Sequence, residues 1–251
     1  MAFYQTMKNL TPILLLLMPL YANAQQNLFN IPSGDITPRA KLFYQHQVNM
    51  YGPNSLESKS HLVIGLGKNW DAGINLVDLP LQLQPLSVTF NDNRSLKPLY
   101  PLLMFTLQKQ FHLHDNLKLN IGTQAGPNVS FRTSPIRMAY FNYALLRGNV
   151  RKVVNWVVGS YHTNNTFVGQ ERQHFGLLLG YEIPVTRNVS LMGDLISGNH
   201  KKAQTTIGGL YTINKRVQLC AAALLDYPHG GRNHGLVLEL NVFGWDFSSN
   251  H

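Results

Sequence analysis

Beyond residue 38, apolar and polar side chains alternate with a period of two through most of the chain. The clearest unit begins at Phe175. Phe175, Leu177, Leu179, Tyr181 and Ile183 share one face of an extended run, and His174, Gly176, Leu178, Gly180 and Glu182 share the other. Pro184 to Asn188 breaks the run, after which Val189, Leu191, Gly193 and Leu195 resume one face against Ser190, Met192 and Asp194. A helix would repeat every 3.6 residues, so this unit is strand, short turn, strand. The same pattern predicts strands over Arg39 to Met50, Ser58 to Gly67, Trp70 to Val77, Leu102 to Phe111, Leu117 to Gln124 and Met138 to Leu146. It continues over Lys152 to Tyr161, Lys202 to Ile213, Val217 to Leu225 and His234 to Phe243, for about twelve strands in all. The Pro-interrupted stretch Leu81 to Phe90 offers one further pair and a count of about fourteen.

Connections alternate in length. Lys68-Asn69, His112 to Asn116, Arg147 to Arg151, Pro184 to Arg187 and Asn214 to Arg216 are short. Tyr51 to Glu57, Asp78 to Lys97, Ala125 to Arg137, His162 to Arg172, Ser197 to Lys201 and Asp226 to Asn233 are longer. An up-and-down barrel with tight turns at one rim and long loops at the other alternates in this way, and an even strand count returns both barrel ends to the short-turn side.

Composition decides which solvent the apolar faces meet. Charged residues make up 13% of the chain and hydrophobic residues 44%, against about 25% charged in an ordinary soluble domain. A soluble sheet turns Lys, Glu and Asp outward, whereas a membrane barrel turns apolar side chains outward around a polar lumen. The expected fold class is therefore all-β, an antiparallel up-and-down transmembrane β-barrel. A soluble lipocalin-like barrel is the alternative, with the apolar stripe turned toward a ligand cavity. Ahead of the strands, Lys8, the apolar run Ile13 to Tyr21 and Ala22-Asn23-Ala24 read as a cleaved secretory signal over 1–24. Residues 25–38 read as an N-terminal lead-in, 39–247 as the barrel and 248–251 as a tail. The single Cys220 excludes an internal disulfide.

Phe243, Trp245 and Phe247 alternate near the end of the chain. This resembles the aromatic-ended final strand recognised by the bacterial barrel assembly machinery. With the strand pattern, the chain resembles bacterial outer-membrane β-barrel proteins at the level of architecture, although four residues follow Phe247. The resemblance implies export to the outer membrane, contact with its lipids and lipopolysaccharide, the assembly machinery as a partner during biogenesis, no cofactor and no nucleic-acid partner.

With apolar faces given to lipid, the inward set is Lys41, Gln45, Gln47, His61, Asn75, Gln108, Lys118, Asn120, Asn142, Asn155, His174, Glu182, Asp194, Glu239 and Asn241. Barrels of about 8 strands are filled by their own side chains and those of about 16 to 18 leave a wide channel. Twelve strands suit a passive channel or uptake component for small polar solutes. The net charge of +9 favours anions among them. They equally suit a structural barrel with a closed lumen, in which Lys41 and Lys118 compensate Glu182, Asp194 and Glu239. Several cations, Lys68, Arg147, Arg151, Lys152, Arg187, Lys215 and Arg216, fall in short turns, where solvation accounts for them.

The other function class is a lipid-modifying enzyme. Ser160, His162 and Asn164, followed by Asn165, gather at one strand end, with Glu171 and His174 across the loop. The plainer reading is a polar rim, with Trp156, Tyr140, Tyr143, Tyr161 and Tyr211 as interfacial girdle residues. His112 and His114 sit at a turn without Cys or Glu nearby, so no metal site is expected. His229 and His234 flank a Gly-rich loop that reads as a surface loop.

Overall fold

The period-two runs form one antiparallel sheet that closes on itself. The computed structural model describes residues 27–93, 98–129, 136–151, 153–169, 172–228 and 234–246. The strands are β1 (Leu42–Gly52), β2 (Ser55–Gly67), β3 (Trp70–Leu83), β4 (Leu86–Val88), β5 (Leu102–His114), β6 (Leu117–Pro127) and β7 (Met138–Val150). They continue with β8 (Val154–Thr163), β9 (Phe175–Pro184), β10 (Val189–Ile196), β11 (Gln204–Asn214), β12 (Val217–Asp226) and β13 (Gly235–Phe243). A single helical turn, α1 (Asn165–Val168), follows β8. Each ring strand pairs with its sequence neighbours. β1 closes the ring by pairing with β13, Phe43 opposite Phe243 and Met50 opposite Leu236.

Among the described residues the ring has twelve strands, because β4 pairs only with the far end of β3 and folds back outside the ring. The count of fourteen is thus not adopted. Pro80 and Pro85 lack the donors that a central strand needs, so this stretch makes an edge hairpin instead. The expected longer link Tyr51 to Glu57 is also corrected. Ser55 to Glu57 stay in register with β1 past a bulge, and only Pro53 and Asn54 turn the chain. At the opposite rim Lys68 and Asn69 take positive φ (51° and 62°), the geometry of a tight hairpin turn.

Outward positions carry an exposed aliphatic band that includes Leu62, Ile64, Leu107, Ile121, Leu177, Leu191 and Leu238. A continuous band of this kind suits hydrocarbon, not water. At the short-turn rim Lys109 lies over the rings of Trp70 and Phe111 and its Nζ donates to the Lys68 carbonyl at 2.6 Å, a cation reaching out of the apolar zone.

The lead-in enters the lumen. Leu28, Phe29 and Ile31 are buried in one cluster with Leu178 and Met192 of the wall, at roughly 1.5–3 kcal/mol for each side chain so buried. The segment has no strand partner along most of its length, so lumenal side chains satisfy its backbone. Asp194 accepts from the Asn30 N–H and, at 3.2 Å, from the Ile31 N–H. Gln110 donates to the Gly34 carbonyl at 2.6 Å, Gln108 to the Asp35 carbonyl at 3.0 Å, and Asp71 accepts from the Thr37 N–H at 3.1 Å. Gly34 has φ +78°, and a Cβ there would lie 2.7 Å from the Asn120 amide. Arg147 Nη1 pairs with Asp35 at 2.8 Å inside the barrel.

Three residues therefore sit differently from expectation. Arg147 is a lumenal ion-pair partner, not a solvated turn residue. Tyr143 and Tyr161 point inward, because Gly122 and Gly176 on neighbouring strands leave room for their rings; a Cβ on either glycine would meet the ring at 2.2 or 2.6 Å. Tyr140, Trp156 and Tyr211 keep outward positions. Phe243 and Trp245 pack inside with Phe43 and Val63. Phe247, the 248–251 tail, the 1–24 signal, Lys152, Glu171 and His229 lie outside the described residues.

Removing the Asp35 carboxylate leaves Arg147 unpaired within the lumen, a loss of about 3 kcal/mol for a pair of this burial. Asp35→Ala is expected to speed amide hydrogen exchange over residues 28–37 by about a hundredfold and to leave the strand amides of β9 and β10 protected. Unchanged exchange over 28–37 would contradict the docked lead-in.

Candidate functional site

Of the inward set, Gln45, Gln47, His61, Asn75, Gln108, Asn120, Asn155, Glu182, Asp194, Glu239 and Asn241 face the lumen, and Lys118 does so beside Arg147. Lys41 does not. It precedes β1 and is exposed at the short-turn rim. His174 precedes β9 at the opposite rim, its Nε2 2.6 Å from Asn165 Oδ1. Asn142 is on the outer wall, because Phe141 and Tyr143 on either side of it are buried within.

The acids are held differently from the expected lattice with Lys41 and Lys118. Asp194 is bonded to lead-in N–H groups, and Glu239 accepts from Asn241 at 2.8 Å. Ion pairs instead join Arg147 to Asp35, Lys59 to Glu57 and Lys202 to Asp78.

Between the lead-in and the long-connection rim lies a cavity of about 110 Å³. Asn27, Phe29 and Asn30 form its floor, Gln45, Gln47, His61, Asn75 and Gln204 its polar wall, and Phe141 and Phe167 aromatic surfaces. His61 Nε2, Asn75 Oδ1 and Gln204 Oε1 are buried without a hydrogen-bond partner among the described residues. At the mouth, Lys202 reaches Asp78 and lies 4.4 Å over the Phe167 ring. Below the lead-in a small pocket of about 10 Å³ lies beside Arg147 and Glu182. Sequence reasoning missed Asn27, Asn30, Lys59, His200, Lys202 and Gln204, since only the folded lead-in and long connections bring them together.

The outer wall holds the Ser–His group. Ser160 and His162 face outward on β8, and Asn142 of β7 is the direct cross-strand partner of His162. Asn164 is otherwise engaged. Its side chain accepts from the Phe167 N–H at 3.3 Å, capping α1, and donates to the Met138 carbonyl at 2.9 Å.

No protein-family model matches the chain, and no curated protein matches by sequence. Solved structures do. A KdgM porin in complex with disordered oligogalacturonate superposes with TM-score 0.53 at 7% identity, over 80% of this chain and 98% of that one. A NanC porin gives 0.52 at 12% identity, over 81% and 99%. The fold is that of the bacterial outer-membrane β-barrel proteins. An outer membrane phospholipase A from Escherichia coli also superposes, with TM-score 0.46 at 11% identity, over 84% of this chain and 92% of that one. At such identities the likeness is one of fold. In an outer-membrane barrel the long connections are extracellular, so the larger cavity lies on the outer side of the lead-in.

One titratable group at that outer mouth lies beyond the spanning strands. His200 Nε2 and the Tyr161 hydroxyl are 2.7 Å apart, and the same hydroxyl is 2.6 Å from the Ser197 carbonyl. A carbonyl only accepts, so Tyr161 donates to Ser197 and the neutral His200 ring donates its Nε2–H to Tyr161. Burial, with Lys202 and Arg172 nearby, pushes the His200 pKa down to about 4. An unfolded histidine titrates near 6.5, so between these values the opened chain binds more protons than the folded one. The ring's contribution is intact above about pH 6.5 and is lost as pH falls toward about 4. NMR titration of the micellar protein is expected to place the His200 midpoint near 4, with loop 197–203 loosening below it. A midpoint at 6.5 or above would contradict this burial.

Proposed function

We propose that this outer-membrane barrel binds and admits small polar solutes from the extracellular side, with the lead-in as the gate across the lumen. The observation that carries the reading is the outer cavity, in which buried, unpartnered polar atoms of His61, Asn75 and Gln204 stand near the aromatic surfaces of Phe141 and Phe167. Convergent amides with an aromatic face suit a hydroxyl-rich solute such as a sugar or sugar acid, whose hydroxyls both donate and accept and whose C–H faces pack on rings. The likeness to a porin solved with oligogalacturonate is consistent with that class.

The lumenal lead-in favours an uptake component over a permanently open passive channel. Anion preference receives little support at the cavity, since Lys59 and Lys202 are each paired with an acid. Passage requires the 27–38 segment to shift, and its ion pair and hydrogen bonds set the cost of doing so. Assembly by the barrel machinery and residence among outer-membrane lipids and lipopolysaccharide belong to the same proposal.

Calorimetric titration of glucose and galacturonate into the folded micellar protein tests it. At least one is expected to bind, and Asn75→Leu with Gln204→Leu should weaken that binding by about tenfold or more, at about 1.4 kcal/mol per tenfold. No heat of binding from either sugar, or equal affinity in the double variant, would overturn the reading.

A further inference from the structure

Polar side chains are costly on the lipid-facing wall of a barrel. β6, β7 and β8 nevertheless place four of them there in one patch. Thr123, Asn142 and His162 form a single cross-strand row, each the direct partner of the next, and Ser160 stands two residues from His162 on the same face, opposite Ala144. Directly paired positions on one face bring Cβ atoms to about 4.5–5.5 Å. The Thr123 hydroxyl donates to Asn142 Oδ1 at 2.6 Å and so fixes that amide, and the Tyr140 ring lies 5.4 Å from the His162 ring. The Ser160 hydroxyl and the His162 imidazole make no hydrogen bond to any described residue.

The patch also has a substrate-shaped neighbour. An open groove of about 510 Å³ runs down the outer wall from it, over Ile121, Ala144 and Leu107 to Phe111 and Trp70. His162 is the penultimate residue of β8 and Phe175 the first of β9, so the polar end lies at the long-connection rim, and the groove crosses an apolar wall to Trp70, Phe111 and Lys109 at the short-turn rim. A lipid of the outer leaflet meets such a wall with its ester level with the polar row and an acyl chain in the groove. A second outward pair, His46 and Ser60, bonds to itself at 2.9 Å, but its cross-strand neighbours are Leu240 and Leu76 and it has no third polar group.

We propose that Ser160, His162 and Asn142 form a hydrolytic site for the fatty-acyl esters of outer-leaflet lipids, separate from the lumenal site and independent of it. Ser160 Oγ adds to the ester carbonyl carbon while His162 takes its proton. The tetrahedral species collapses, the C–O bond to the lipid alcohol breaks, and that alcohol leaves with the proton from His162. Water then attacks the acyl-Ser160 ester, His162 takes the water's proton and returns it to Ser160 Oγ, and a free fatty acid departs. Asn142, held by Thr123, is a positioning residue for the His162 ring.

The full mature chain, refolded and shown to be folded by heat-modifiable gel mobility, is given diacyl phospholipid mixed micelles in one arm and lipopolysaccharide in the other. Released fatty acid is quantified by mass spectrometry, and a fluorophosphonate probe is mapped by peptide analysis. Release is expected in at least one arm, which identifies the lipid, with the label on the peptide that carries Ser160. Ser160→Ala should lower release on the order of 10³-fold and His162→Ala at least about a hundredfold. Asn142→Ala should lower kcat roughly 10- to 100-fold with little change in KM. Asn142→Asp should recover most of that loss, because a carboxylate oxygen can take the place of the amide oxygen beside the His162 ring. A folded wild-type chain that releases no fatty acid in either arm and takes no label overturns the proposal, as does undiminished release by folded Ser160→Ala.

Discussion

A chain segment carried into a closed barrel leaves the hydrogen-bond ladder, and its backbone polar groups must then be satisfied by side chains of the wall. This constraint organises the lumen. Gln108 and Gln110 of β5, Asp71 of β3 and Asp194 of β10 are spent on the N–H and C=O groups of the lead-in, and Arg147 on its one buried carboxylate. On the long-connection side of the lead-in, polar atoms of His61, Asn75 and Gln204 remain unpartnered and line the outer cavity.

Strand alternation gives the wall a second consequence. Along β7 and β8, Phe141, Tyr143 and Tyr161 serve the interior, while Asn142, Ser160 and His162, their immediate neighbours, serve the exterior. The same two strands thus present different side chains to two separate compartments. The aromatic residues on the inner side, with Tyr161 and Phe141 stacked at 5.1 Å, also keep the backbone that carries the outer row in place.

Architecture was legible wherever one face was uniformly apolar. In β9 and β13 the alternation assigned inside and outside correctly, and the strand ends moved by only a few residues. It failed in β7, where Met138-Ala139-Tyr140-Phe141-Asn142-Tyr143-Ala144 carries apolar groups on both faces and the period alone cannot choose. Gly122 was the available signal, since a glycine opposite an aromatic residue marks where that ring will lie. The lead-in was not legible as a plug. Asn27, Asn30 and Asp35 look like loop residues, and their partners lie far away in sequence on β1, β7 and β10. Beside Ser160 and His162, sequence adjacency offers Asn164, which caps α1, whereas cross-strand register sets Asn142 opposite His162.

The most direct test of the lumenal account is single-channel recording of the refolded chain from residue 25 onward in planar bilayers. A lumen crossed by the docked lead-in predicts a non-conducting baseline with brief openings, and more frequent openings when the Asp35–Arg147 pair is removed. A steady, ohmic conductance from demonstrably folded wild-type protein would contradict it.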